Sequence, residues 1–302
     1  MTDVEDPTMP MAGDMTRRAF VAVTAGLATA TAGGVTQALA DAPKLGGFHS
    51  PLVAEDDPAL TTSHPDLKTP DGVTSAYAAY SKTATPESAG VVVIQHVWGV
   101  DAQIRDVVRR FAKEGYVAIA PDLYSGMGAP SGDTATDFSL FVPFAQKLDP
   151  NRVQRCVSGA FAWIAHRAAP KSAAGPKVGV TGFCMGGAIA LKTASVNPRF
   201  SAAAVWYGRI RPAGTATGTP DAALDYTDTI SMPLLGSYGG RDTGIPVADV
   251  LELRKRLNVP NDIKIYDEAG HAFFDDQRAS YVPSAAVDAW KRTLNWFSTY
   301  LS

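Results

Sequence analysis

The sequence predicts an α/β domain, a doubly wound and mostly parallel sheet with helices on both faces. Three observations carry this. Strand-like and helix-like stretches alternate regularly from residue 72 to the C-terminus. The run "AGVVVIQ" (89–95) is short, apolar and β-branched, as a strand buried on both faces should be. And "KVGVTGFCMGGAIALKTASV" passes from strand to helix through a glycine-rich turn with a cysteine at its apex.

In order, "GVTSAYAAYSK" reads as an early strand and "AGVVVIQ" as the next. "DAQIRDVVRRFAKEG" follows as an amphipathic helix, with Asp101 as N-cap and Gly115 as its stop. "YVAIAPDLY" is a strand, residues 125–140 a glycine- and serine-rich loop, and about 150–168 a helix. "KVGVTGF" and "MGGAIALKTASV" form a strand–helix pair. "FSAAAVWYG" and "MPLLGSYGG" are strands, "PVADVLELRKRLN" a helix, "DIKIYDEAG" a strand and "SAAVDAWKRTLNWFSTYL" the closing helix.

The N-terminal part reads differently. Arg17 and Arg18 precede an apolar, alanine-rich run from Phe20 to about Ala32, and Ala38-Leu39-Ala40 offers a small-x-small cleavage site. Residues 1–40 are therefore expected to be a signal peptide of twin-arginine type that is removed, which implies a periplasmic or secreted protein. The apolar run is short for a bilayer span, so no stable membrane insertion is expected after its removal. Residues 41–70, rich in Pro, Asp, Ser and Thr, read as an irregular arm, and 71–302 as the domain.

Composition narrows the function. The 302-residue chain carries a formal charge of −3 and is 46% hydrophobic. It has no basic run, so a nucleic-acid partner is not expected. Five scattered histidines include no short ligand spacing, so neither a metal nor another cofactor is expected. A monomer acting on a small molecule fits best. Of the two cysteines, Cys156 lies at an apolar helical position and reads as core. A Cys156–Cys184 disulfide is the alternative in an exported chain.

Gly182-Phe183-Cys184-Met185-Gly186 fits the strand–turn–helix elbow G-x-nucleophile-x-G, with cysteine as the nucleophile. Glycines let the turn close, and the helix N-terminus beneath favours a thiolate. "SYGGRDTGIP" puts Asp242 after a strand, and "DEAGHAFF" puts His271 after the next. Both fall at carboxyl ends of strands, where such sheets build sites. His271 would take the thiol proton and Asp242 would fix its tautomer. Read singly, Asp242 is equally a turn residue and His271 a surface histidine; the ordered set favours a triad.

With "VVVIQHVWG", "IRDVVRRFAKEGYVAIAPDLY", "GFCMGG", "YGGRD" and "AGHAFF", the chain from about residue 70 onward resembles the dienelactone hydrolase (carboxymethylenebutenolidase) family of the α/β-hydrolase fold. The resemblance implies a Cys184–Asp242–His271 triad. It also implies an oxyanion hole from the backbone N–H groups of Met185 and Val97, and an ester or lactone substrate. It also marks departures: His96 stands where the family has glutamate, and Gly126 and Asp275 stand where it has substrate-binding arginines. Arg209 or Arg241 could replace that charge, or make ordinary surface pairs. His96 could bond the resting thiol, touch substrate, or pack beside Trp98. Trp98, Tyr124 and Phe273 are expected to wall an apolar pocket, or simply to be core.

A thiolate leaves a tetrahedral intermediate more readily than a simple alkoxide does. The expected activity is therefore on activated esters or lactones. A broad short-acyl carboxylesterase is the alternative, and from another class, a catalytically silent binding protein of the same fold.

Overall fold

The computed structural model describes residues 51–85, 87–167, 177–211 and 223–302. The expected signal peptide, and the arm up to residue 50, lie outside them. Among the described residues, nine strands form one sheet. The elements are β1 (Leu60–Ser63), β2 (Asp66–Thr69), β3 (Gly72–Ser81), β4 (Gly90–Ile94), α1 (Ala102–Lys113), β5 (Val117–Pro121), α2 (Val142–Gln146) and α3 (Pro150–Arg167). They continue with β6 (Val178–Phe183), α4 (Met185–Val196), β7 (Ala202–Trp206), β8 (Leu234–Gly239), α5 (Val247–Arg256), β9 (Asn261–Tyr266) and α6 (Pro283–Tyr300). The strand order is β1-β3-β5-β4-β6-β7-β8-β9, with β2 also paired to β3. From β5 to β9 every pairing is parallel; β1, β2 and β3 add an antiparallel edge.

Register shows why helices cover both faces. Gly90 of β4 pairs with Val178 of β6, so both face the same way. A Cβ on Gly90 would meet Ile164 of α3, whereas one on the next residue of β6, Gly179, would meet Phe297 of α6. Successive residues point to opposite faces, so α3 and α6 lie on opposite sides. α1 shares the α6 side, where Phe111 packs on Trp290 and Phe297. α1 begins as its sequence dictates: the Asp101 side chain accepts from Ile104 N–H, and Gly115 beyond its end has φ 93°.

The arm differs from expectation. Residues 60–69 form two strands on β3, where cross-strand pairing overrides the weak local signal of "LTTS" and "DLKT". Just before them the chain clasps α1. The buried Asp106 carboxylate accepts from the N–H groups of Leu52 (2.8 Å) and Val53 (2.9 Å), and Arg109 Nε donates to Val53 O at 2.7 Å. Lys113 pairs with Asp57 at 3.0 Å. Asp106 also pairs with Arg110, which reaches Asp276; all three side chains are fully buried. Cys156 and Cys184 are free, so the alternative disulfide does not form. Cys156 is buried core, 3.3 Å from Thr74 Oγ1. No helix among the described residues is long and apolar enough to cross a membrane.

Candidate active site

Cys184 joins β6 to α4 with φ 55° and ψ −115°, a conformation that non-glycine residues adopt only under constraint. The constraint is visible. Its N–H donates to Trp206 O at 3.1 Å, and its carbonyl accepts from Gly187 and Ala188 as the helix starts. A Cβ on Gly186 would lie 2.3 Å from Ile94 O and 2.5 Å from Gln95 O, and one on Gly182 would lie 2.0 Å from Gly186 O. Glycine is required at both positions for the turn to sit this close to β4. Among the described residues, three non-glycine residues have positive φ: Cys184, Tyr207 (37°) and Ala272 (59°). All three stand at this site. Tyr207 follows β7 and sets its ring edge-on to His271, with centroids 5.3 Å apart; Ala272 follows His271 directly.

The loop after β8 carries Asp242, and the loop after β9 carries His271. Asp242 Oδ2 lies 2.6 Å from His271 Nδ1, while Oδ1 accepts from Gly244 N–H at 2.9 Å. The Asp242 side chain is 2% exposed and that of His271 41%. With Nδ1 engaged, the other ring nitrogen is left for Cys184, whose ionisation is coupled to that of His271. Burial alone would lower the His271 pKa, but its bonds to Asp242 and Cys184 outweigh that and raise it to about 10. Burial pushes the Cys184 thiol up; its bond to His271, the nearby His271 and His96 charges and the Met185 N–H outweigh this and bring it down. The arrangement favours a thiolate–imidazolium pair. Three distant segments thus meet here: a strained cysteine, an imidazole, and a carboxylate that orients the imidazole.

Residues 74–301 match the model of the dienelactone hydrolase family. The chain belongs to this family. It is 34% identical over 271 residues to a "Putative carboxymethylenebutenolidase" of Salmonella typhimurium, covering 80% of this chain and 98% of that one. A protein of the same name from Synechocystis is 39% identical over 217 residues, 70% of this chain and 86% of that one. Among solved structures, a "Putative Dienelactone Hydrolase" of Klebsiella pneumoniae superposes with a TM-score of 0.72 at 33% identity, covering 80% of this chain and all of that one. The chain is therefore a hydrolase of the α/β-hydrolase fold.

The positions at which this family member departs are resolved as well. His96 is 5% exposed and lies just beyond β4. Its Nε2 is 2.9 Å from Asp101 Oδ1, and its Nδ1 is 3.8 Å from Asp275 Oδ2. Asp275 is buried, and burial pushes its carboxyl up to about 6. Gly126 has φ 76° and borders a cavity of about 350 Å³. Trp98 and Tyr124 line that cavity too, but beside Asp101, Arg105, Asp122 and Asp133, so it is a polar space rather than the apolar pocket expected. None of the three triad candidates borders it. Phe273 departs further: it is fully buried among Trp206, Tyr207 and Tyr266 and backs the site as core. Two residues past an exposed loop histidine, it had no periodic signal to tell which way it would face. Tyr124 hydroxyl donates to Val97 O at 3.0 Å and lies 3.8 Å from Met185 Sδ, bracing the two residues whose N–H groups the family resemblance assigns to an oxyanion hole.

Sequence reasoning did not find Tyr207, Arg278 or the second role of Asp101. Arg278 stacks on Trp98 with its guanidinium carbon 3.6 Å from the ring centroid. It also pairs with Asp101 (3.4 Å) and Asp275 (3.3 Å). Asp101 was legible as a cap, and that local role masks its close approach to His96. Among the described residues, no group of three or more His, Cys, Asp or Glu is arranged to hold a metal.

Proposed function

We propose that this chain is a cysteine-dependent hydrolase of activated esters or lactones, working through a thioester acyl-enzyme. The observation that carries the reading is Cys184 on its strained elbow, coupled electrostatically to a His271 that Asp242 holds at 2.6 Å.

The Cys184 thiolate attacks the carbonyl carbon, and the π electrons move to oxygen. That oxyanion meets the N–H groups of Met185 and Val97; the Met185 N–H already donates toward the sulfur. One such donor is worth roughly 3–4 kcal/mol elsewhere. Collapse breaks the C–O bond, and the leaving oxygen takes the proton of imidazolium His271. His271, now neutral, removes a proton from water, whose oxygen attacks the thioester. Collapse then releases the carboxylic acid and restores the thiolate beside protonated His271. Asp242 keeps Nδ1 protonated throughout, so that the other nitrogen does the transfers.

The first intermediate chooses between expelling thiolate and expelling the leaving oxygen. A thiol has a pKa near 8.5, well below a simple alcohol, so alkyl esters revert. Enol lactones, aryl esters and thioesters carry more stable leaving anions and go forward. Asp275 and Gly126 supply no cation, which supports a neutral acyl substrate and leaves a broad short-acyl esterase as the second reading. The Arg17-Arg18 leader supports export to the periplasm or beyond.

Rates on p-nitrophenyl acetate, an enol lactone and ethyl acetate test this. The first two should turn over and ethyl acetate should not. Cys184→Ala should abolish turnover, and Asp242→Asn should lower kcat by up to about 10⁴-fold. Equal rates on all three esters would remove the selectivity argument. Undiminished activity in Cys184→Ala would remove the nucleophile.

A further inference from the structure

We propose that His96 is a positioning residue: a second, buried imidazolium, anchored by Asp101 and Asp275, that holds the Cys184 sulfur in its ionised form. The inference rests on Cys184 being the nucleophile.

Backbone register brings the two side chains together. Ile94 of β4 pairs with Gly182 of β6, so His96 and Cys184 each lie two residues past a paired position, and each one's charge acts on the other. The strands cannot separate there, because the Ile94 and Gln95 carbonyls pack directly against Gly186. The turn that follows is closed by Gly99 N–H donating to His96 O at 3.2 Å, which fixes the backbone from which the ring projects.

The ring is nearly sealed from water, and a buried cation without partners would lose its proton. Here each ring nitrogen faces a carboxylate: Nε2 lies 2.9 Å from Asp101 at the start of α1, and Nδ1 lies 3.8 Å from Asp275 in the loop after β9. Arg278 pairs with both carboxylates from outside and covers them with its stack on Trp98. Two carboxylates and Arg278 alone would leave one buried negative charge; protonated His96 balances it. Asp276, beside Asp275, is taken by Arg110. The remaining titratable neighbours of the sulfur are His271 and the phenols of Tyr124 and Tyr207, which burial keeps protonated. Burial lowers the His96 pKa, but Asp101, Asp275 and the Cys184 charge outweigh it and raise it. In turn His96 helps to bring the thiol down.

The chemical consequence is a division of labour. His271 must surrender its proton to the leaving group and then recover one from water. His96, locked between carboxylates, keeps its proton through both steps, so it stands as a fixed positive charge near the sulfur both when the thiolate attacks and when it is expelled.

The test is the pH dependence of Cys184 alkylation by iodoacetamide, read by mass on the Cys184 peptide, in wild type and His96→Gln. The midpoint should rise by about one pH unit or more in the variant, and kcat on p-nitrophenyl acetate should fall with KM little changed. Nitrogen-15 NMR of the wild-type ring should show His96 as imidazolium at pH 7. In Cys184→Ser its titration midpoint should fall by as much as the thiol midpoint rises in His96→Gln, because the coupling is reciprocal. An unchanged alkylation midpoint, or a neutral His96 ring at pH 7, overturns the inference. Should His96→Gln not fold, the NMR titrations of wild type and Cys184→Ser decide alone. A wild-type Cys184 that resists alkylation at neutral pH overturns the nucleophile itself, and the two failures are distinct.

Discussion

Replacing Gly186 by Ala tests whether the tight elbow is what aims Cys184. The added methyl would lie 2.3 Å from Ile94 O and 2.5 Å from Gln95 O, where real Cβ contacts do not fall under 3.0 Å. Both obstacles are backbone carbonyls between two core strands, so neither can swing aside. The elbow must therefore back away from β4 by about 0.7 Å. Productive geometry tolerates about 0.5 Å, and a misplacement of about 1 Å costs roughly 100-fold. The expected loss in kcat/KM is thus close to 100-fold, or about 2.7 kcal/mol of transition-state stabilisation. Overpacking adds about 1–3 kcal/mol of destabilisation, at about 2–4 °C in Tm per kcal/mol for a domain of this size. The assay is kcat/KM on p-nitrophenyl acetate, with Tm by circular dichroism. Gly270→Ala is the matched control: it adjoins His271, yet a Cβ there meets nothing within 4 Å. Its effect should stay within about 0.5 kcal/mol. Wild-type turnover and Tm in Gly186→Ala would refute the claim that close packing on β4 positions Cys184.

Two further outcomes follow from buried charge. Asp106→Ala removes one of the two carboxylates that Arg110 pairs with in a fully buried site and strands the N–H groups of Leu52 and Val53. It should cost at least about 3–5 kcal/mol in urea unfolding, and a loss below about 1 kcal/mol would contradict the clasp. Asp275 is an acid whose folded pKa is raised, mainly by burial, to about 6 from 3.8. Stability from that shift is present below about pH 4 and is lost as pH rises through about 6. Asp275→Asn should therefore gain in Tm relative to wild type between pH 4 and 7; a pH-independent difference would contradict it.

What the sequence revealed is mostly what local chemistry decides. Asp101 and Gly115 bound α1 because capping and left-handed stops are written within a few residues. Cys184, Asp242 and His271 were legible because each sits just past a strand, and strand ends are where this sheet gathers side chains. The edge strands β1 and β2 were not, since "LTTS" and "DLKT" become strands only by pairing with β3. The five residues of α2 are too few for periodicity to register. Of the two roles open to the Phe273 ring, core was not distinguishable from pocket lining, because its direction is set by Trp206, Tyr207 and Tyr266 from other parts of the chain. The carboxylates around His96 were hidden for the same reason: one lies in a helix cap and the other in a loop far along the sequence.

The clasp on α1 has a bearing on where this molecule begins as a physical object. The pattern shared with the family starts at residue 74, yet Asp106, Arg109 and Lys113 find partners among residues 52–57. Cutting at the edge of the shared pattern would strip Asp106 of two backbone donors, Arg109 of the Val53 carbonyl and Lys113 of Asp57. The thermodynamic unit thus begins upstream of the matched family model, and its first stretch earns its place by neutralising charge.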